Sequence, residues 1–228
     1  MPAEPKTGAR TQATSRVVDE LRRMIVTGEL LPGQQIRQES MAERLGVSRL
    51  PIREGLRQLA SDGLVSHTPN AGYTVARLSR SEFDQVYLMR GLLESEVLRS
   101  LPRLDRKRID HVAEANRRVE EAAERLDIAG MREHNHEFHF AIFRLSGLDL
   151  VIGQIERLWT WAAPYHAVYL FSAESRRAVL DEHAQMLQAL EAGDNERLVE
   201  LMNSHRHGSE TQIGPMLDSG SLAMPRLP

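Results

Sequence analysis

Residues 46–59 read Gly46-Val47-Ser48-Arg49-Leu50-Pro51-Ile52-Arg53-Glu54-Gly55-Leu56-Arg57-Gln58-Leu59, and this stretch decides the fold of the N-terminal part. Ile52, Leu56 and Leu59 recur at the spacing of a buried helical stripe. Arg49, Arg53 and Arg57 recur every four residues, so they share a second face of the same helix. Ser48 stands where a cap is needed, and Pro51 falls in the first turn, where its missing N–H costs little. Asp62-Gly63 ends the helix.

Upstream, Gln38 to Leu45 predicts a short helix with Met41, Ala42 and Leu45 on one face, broken by Gly46-Val47. Further upstream, Val17, Val18, Leu21, Met24 and Ile25 predict a longer helix running from a Thr14 cap to Gly28, and Leu31-Pro32-Gly33 is a turn. Downstream, Leu64-Val65 and Tyr73-Thr74-Val75 flank the turn-rich Thr68-Pro69-Asn70-Ala71-Gly72 and predict a hairpin. Helix, helix, glycine-containing turn, helix and hairpin make the winged helix-turn-helix layout. On an arbitrary helix three arginines are a solvated basic face; in this setting they point to DNA. Glu54 is placed to temper that field or to pair with a neighbouring arginine.

The remaining composition bounds what else the chain does. Its 228 residues leave room for one large domain or two modest ones, at about 100 to 200 residues per domain. Apolar types are 41% and charged types 27%, the balance of a globular protein. With no cysteine, disulfides, thiolate metal sites and cysteine nucleophiles are excluded, and a reducing compartment fits. The first ten residues lack the apolar core of a signal peptide, and no apolar run approaches the roughly 18 residues of a membrane span. A cytoplasmic location is expected, with no membrane contact. The net charge of −3 hides an asymmetry: residues 1–78 carry 11 Lys+Arg against 8 Asp+Glu, whereas residues 79–228 carry 18 against 24.

The style of the chain changes near Ala76–Ser79. Beyond it lie six helical stretches, about 80–100, 105–126, 128–146, 148–171, 174–192 and 195–213, jointed at Pro102, Gly147 and Gly193-Asp194. Pro164 predicts a kink in the fourth. The expected fold is mainly α, an N-terminal winged helix-turn-helix followed by an all-α six-helix bundle. The expected division is a disordered tail over 1–11, the DNA-binding domain over 12–78, a helical effector-binding and dimerisation domain over 79–213, and a flexible tail over 214–228.

Eight of the nine histidines lie in this second part, between His111 and His207. Three stand on apolar stripes of separate helices. They are His139 with Met131, Asn135, Phe138 and Ile142; His183 with Val179, Met186 and Leu190; and His205 with Leu198, Leu201 and Met202. Singly, each reads as a hydrogen-bonded core histidine. Neutral imidazoles converging inside one bundle also make a site for a divalent ion such as zinc, nickel or manganese, and spacing alone leaves both possibilities open. His207 and His111 have polar helical neighbours and read as solvated. His134 and His136 crowd the helix of His139, and His166 lines a pocket or fills core. His136-Glu137-Phe138-His139 does not fit the zinc-protease motif, whose histidines are four apart. The di-iron carboxylate pattern needs two Glu-x-x-His motifs on separate helices, and only Glu133…His136 exists. No glycine-rich phosphate loop or nucleophile elbow occurs, so no enzymatic activity is expected.

Two resemblances sharpen these expectations. Residues 46–59 with Asp62-Gly63-Leu64-Val65 resemble the recognition-helix signature of the GntR family of bacterial transcription regulators, and Asn70-Ala71-Gly72-Tyr73-Thr74-Val75 resembles its wing. By position the resemblance implies that Arg49 and Arg53 contact base edges or phosphates, that Ser48 and Arg57 contact phosphates, and that Gly72 lets the wing approach the minor groove. Leu50 replaces a common threonine, and Ala71 a common wing-tip arginine. Asn135-His136-Glu137-Phe138-His139, Glu182-His183 and Met202-Asn203-Ser204-His205 resemble the ordered motifs of the FCD domain, the ligand-sensing half of the FadR subfamily. That resemblance implies a divalent metal held by Asn135, His139, His183 and His205, with asparagine where aspartate is frequent. Arg90 matches a recurrent arginine of the first sensor helix; it pairs either with an effector carboxylate or with Glu94, one turn on.

The function these features imply is a homodimeric transcription regulator. It binds a double-stranded DNA operator with inverted-repeat symmetry and responds to a small, metal-coordinating carboxylate effector. The alternatives are a metal-dependent helical enzyme fused to a DNA-binding head, and a regulator whose C-terminal bundle is metal-free and structural.

Overall fold

The computed structural model of the chain describes residues 6–170 and 172–218. Two compact units divide between Leu78 and Ser79.

The first unit opens with α1 (Lys6–Val26), followed by β1 (Gln35–Ile36), α2 (Gln38–Leu45), α3 (Arg49–Ser61), β2 (Val65–Thr68) and β3 (Gly72–Val75). Its core is the meeting of the predicted stripes: Val17, Leu21, Met24 and Ile25 of α1 bury against Ile52, Leu56 and Leu59 of α3. A Cβ on Gly55 would come within 3.0 Å of Val17 Cγ1, so this glycine lets α1 and α3 approach. The left-handed turn between α2 and α3 rests on Gly46, at φ 63, whose N–H bonds back to the end of α2. The hairpin β2–β3 pairs antiparallel, Val65 opposite Val75 and Thr68 opposite Gly72. β1 adds to the other edge of β3, giving the order β1-β3-β2.

Three expectations change here. Thr14 does not cap α1; it lies inside the helix and donates to Glu54 Oε2 at 3.1 Å. Residues 6–11 continue α1 where a tail was expected, since no proline interrupts the chain from Lys6 to Val26; residues 1–5 lie outside the described part. Ser48 does occupy the N-cap position of α3 with extended backbone, but its side chain makes no capping hydrogen bond.

The second unit comprises α4 (Arg80–Arg99), α5 (Arg106–Glu124), α6 (Ile128–Arg144), α7 (Asp149–Tyr169), α8 (Ala173–Ala192) and α9 (Asn195–Asp218). The starts of four of these helices are fixed chemically. Ser79 and Glu82 form a capping box on α4, and Asp105, Asp127 and Ser172 accept the N–H three residues on at α5, α6 and α8. Gly193 closes α8 in the left-handed conformation. Pro164 sits inside α7, so that helix runs through a position lacking its N–H donor. α9 outlasts its expected end near 213. Ile213 and Leu217, one turn apart, are both buried, and Asp218 pairs with Arg80 Nη1 at 2.9 Å, so residues 214–218 are helix instead of tail. Residues 219–228 lie outside the described part. α5 packs on α6 and α8, α4 on α7 and α9, and α8 on α9. These packings converge the inward faces of α4, α6, α7, α8 and α9.

Candidate metal centre and nucleic-acid interface

On α3, Arg49, Arg53 and Arg57 are all exposed, opposite the buried Ile52, Leu56 and Leu59. Arg49 pairs with Glu39 of α2 at 2.9 Å. Arg53 and Arg57 have no carboxylate partner among the described residues. Glu54 turns toward Thr14 of α1. The wing is tied down at its tip: Gln35 Nε2 donates to Ala71 O at 2.8 Å, and His67 packs on Tyr73 with ring centroids 4.5 Å apart. Gly72 has φ 88 and open space where a Cβ would be, so its requirement is conformational.

In the second unit His139, His183 and His205 come together. Their ligand nitrogens all lie within 4.8 Å of one another, and all three side chains are buried. The ring centroids are 5.0 Å apart for His139–His183 and for His139–His205, and 5.2 Å apart for His183–His205. Asn135, one turn before His139 on α6, is buried as well. His207 remains outside the group, exposed and 3.3 Å from Glu210.

Hydrogen bonds fix the tautomers of two members of the triad, His183 and His205. Asn116 Nδ2 of α5 donates to Glu120, so its Oδ1 is turned to His183 Nδ1, 2.9 Å away. Nδ1 must therefore carry the proton, and Nε2 keeps its lone pair. Glu182 Oε2 lies 2.6 Å from His205 Nδ1 and makes the same assignment there. Among the described residues His183 Nε2 has no hydrogen-bond partner although buried, and neither has either nitrogen of His139. Buried polar atoms left open are uncommon, and one nitrogen from each of the three rings lies within 4.8 Å of the others. Orienting a ligand imidazole through its second nitrogen is the usual support of a metal site. Burial, with the neighbouring imidazoles adding to it, holds His139 and His183 well below the ordinary histidine value of 6.5. They are neutral at physiological pH, the form that coordinates. The residues present fit a divalent ion.

Beside the triad, Arg90 is 2% exposed, and its Nε donates to Glu94 Oε1 at 2.8 Å. Its guanidinium lies 4.3 Å over Trp159 and 5.0 Å over Tyr87. Glu94, fully buried, also accepts from Trp159 Nε1 at 2.8 Å and from Arg206 Nη1 at 3.0 Å. Both sequence expectations for Arg90 thus remain open: the pair with Glu94 exists, and Arg90 Nη1 is buried without a partner among the described residues. His136 stacks on Phe140 and meets Trp159 edge-on, and His166 stacks on Trp159 at 5.9 Å, so an aromatic wall runs along this side. Sequence reasoning missed Asn116, Trp159 and Arg206, saw Glu94 only as a partner of Arg90, and gave Glu182 no supporting part. A signal was present for two of them: Asn116 interrupts the apolar stripe Ile109, Val112, Val119, and Glu94 interrupts Phe83, Tyr87, Leu98.

An exposed arginine face on a winged helix, followed by a helical unit with a buried polar centre, is the arrangement of a DNA-binding regulator. Comparison with known proteins agrees. Residues 13–75 match the family of bacterial regulatory proteins called gntR, and residues 85–208 match the FCD domain. The HTH-type transcriptional regulator McbR of Escherichia coli (strain K12) is 29% identical over 187 residues, covering 80% of this chain and 84% of McbR. The HTH-type transcriptional repressor GlaR of the same strain is 30% identical over 197 residues, covering 81% and 88%. The solved structure of E. coli McbR/YncC superposes with a TM-score of 0.76 at 25% identity, covering 91% of this chain and 98% of that one. The chain belongs to the GntR family, with an FCD domain, and is a DNA-binding transcription regulator and not an enzyme. No described helix is long and apolar enough to cross a membrane.

Proposed function

We propose that this regulator is a cytoplasmic homodimer whose sensor unit holds one divalent ion through Asn135, His139, His183 and His205. A small carboxylate effector completes the ion's coordination and engages Arg90. The observation that carries the reading is the set of buried, unpartnered nitrogens on His139 and His183, beside the unpartnered Nη1 of Arg90. When bound, the ion supplies a Lewis-acidic anchor for carboxylate oxygens and stabilises the bundle by mass action. The chain's own residues do the rest. Asn116 and Glu182 hold the imidazoles of His183 and His205 in their ligating tautomers, and Glu94 holds the Arg90 guanidinium over Trp159.

At the operator, Arg49 and Arg53 reach base edges or phosphates, Ser48 and Arg57 hold phosphates, and the wing turns over Gly72 toward the minor groove. Two-fold symmetry of the dimer would be matched by an inverted repeat. Exposed Leu88, Met89 and Leu92 on α4, with relative exposures of 63%, 40% and 65%, support self-association. Effector binding changes operator affinity to the extent that the ligand binds the DNA-competent and incompetent arrangements unequally. Repression is the expected direction, by likeness to GlaR, a transcriptional repressor.

Selection of operator fragments from a random DNA pool by the full chain tests this reading. Its expected product is a two-fold symmetric sequence bound by a dimer, with affinity altered by metal removal. Enrichment of asymmetric sequences bound by a monomer would refute it.

A further inference from the structure

Of the three arginines on the exposed face of α3, Arg49 is held by a carboxylate of the protein itself. Its Nη1 donates to Glu39 Oε1 at 2.9 Å, so the pair bridges the first residue of α3 and the first turn of α2. Arg53 and Arg57 have no carboxylate partner among the described residues. Both members of the pair are open to solvent, at 67% and 76% side-chain exposure, so it adds little to the stability of the free unit. A carboxylate in the first turn of α2 also suits the helix dipole, but that role needs no contact with Arg49.

The two kinds of DNA contact ask different things of a guanidinium. A phosphate takes a positive charge in many orientations, whereas a base edge takes two N–H groups in one plane at a set position. The bond to Glu39 offsets the charge that Arg49 offers a phosphate, while it holds the remaining N–H groups of the fork in one orientation. In a helix-turn-helix the helix before the recognition helix crosses the DNA backbone, and a carboxylate there repels phosphates. We propose that Glu39 is a positioning residue for sequence reading: it aims Arg49 at a base edge and disfavours binding to non-operator DNA. Specificity then gains from both sides, by a pre-organised contact to the right sequence and a repulsive element against the rest. This rests on the proposed placement of α3 at the operator.

The test is parallel selection from one random-sequence duplex pool by the full chain and by Glu39→Gln, Glu39→Asp, Arg49→Ala and Arg53→Ala. Binding of each to poly(dI-dC) is followed by fluorescence anisotropy over a salt series, and circular dichroism with melting establishes that each is folded. Arg49→Ala should lose base preference at particular positions, and Glu39→Gln should weaken preference about fivefold or more at those positions and no others. Glu39→Gln should also bind poly(dI-dC) more tightly, with a salt slope steeper by roughly one. Glu39→Asp should keep the wild-type slope and part of the preference. A lower melting temperature in Glu39→Gln with base preference intact makes Glu39 a helix-dipole partner only and overturns the proposal. Weakening in Glu39→Gln at the Arg53-dependent positions as well, which reports a loosened turn between α2 and α3, also overturns it. So does a base preference lost in Arg53→Ala but retained in Arg49→Ala, a result that leaves α3 at the operator. Unchanged preference in both arginine variants overturns the proposal and the placement of α3 together.

Discussion

Asn116 Oδ1 accepts from His183 Nδ1 at 2.9 Å, and this contact decides which nitrogen of His183 faces the triad. The asparagine is itself held by Glu120, so the order Glu120, Asn116, His183 runs from surface to centre as a chain of fixed donors and acceptors. Replacing Asn116 by Leu leaves the ligands untouched but removes the orienting acceptor. Metal affinity should fall about 10- to 100-fold, read by competition with a chromophoric chelator. An unchanged affinity would show that packing alone, against Phe138 for example, sets the ring.

Glu94 is the structural hinge of the interior. Glu94→Ala would strand Arg90 and Arg206 in a buried site, and breaking a buried pair from one side typically costs about 3–5 kcal/mol. A marked fall in melting temperature is expected even without metal. A variant as stable as wild type would mean that water already satisfies the two arginines.

The DNA contacts separate by type. Arg53→Ala should lose about 1–3 kcal/mol of operator affinity if its guanidinium forks onto a base edge. Arg57→Ala should weaken all sequences alike and reduce the salt slope by roughly one. Fluorescence anisotropy at several salt concentrations distinguishes them. Operator binding that is intact in the folded double variant Arg49→Ala/Arg53→Ala would remove α3 from the interface.

Acid should weaken the sensor in a defined direction. Burial holds His139, His166 and His183 well below 6.5 and takes His136 to about 4. Below about pH 6.5 the unfolded chain therefore binds protons that the folded chain refuses, and stability rises with pH across that window. The stability is fully present above 6.5 and is lost as the pH falls toward the folded values. Melting of the chelator-treated protein from pH 8 to pH 5 should show a falling transition temperature, and release of metal over the same range adds to it. A transition that stays level or rises on acidification would contradict this account of the histidines.

Much of this architecture was legible because its signals are local. The 3.6-residue stripes of α3 to α9 and the joints at Pro102, Gly147 and Gly193 need only neighbours a few positions apart. β1 was not legible: Gln35-Ile36 is too short for a period, and its partners Tyr73 and Thr74 lie 37 and 39 residues further along the chain. His139, His183 and His205 could be picked out as polar interruptions of apolar stripes. Their partners could not be assigned, because the pairing of Asn116 with His183, or of Glu94 with Trp159 and Arg206, depends on helix packing that no single stripe encodes. The helix ends failed for a related reason. Thr14 has the chemistry of a cap, but Glu54 on another helix claims its hydroxyl; α9 runs on because Asp218 finds Arg80.

The central claim is that three imidazoles on α6, α8 and α9 exist to hold an ion, and metal content per chain tests it most directly. Elemental analysis of the full chain, purified without chelator and then reloaded with zinc, nickel or manganese, should give one ion per chain. His183→Ala should lose it and His207→Ala should keep it. Stoichiometric metal in a folded His139/His183/His205 triple-alanine protein, or none in wild type after reloading, would contradict the claim.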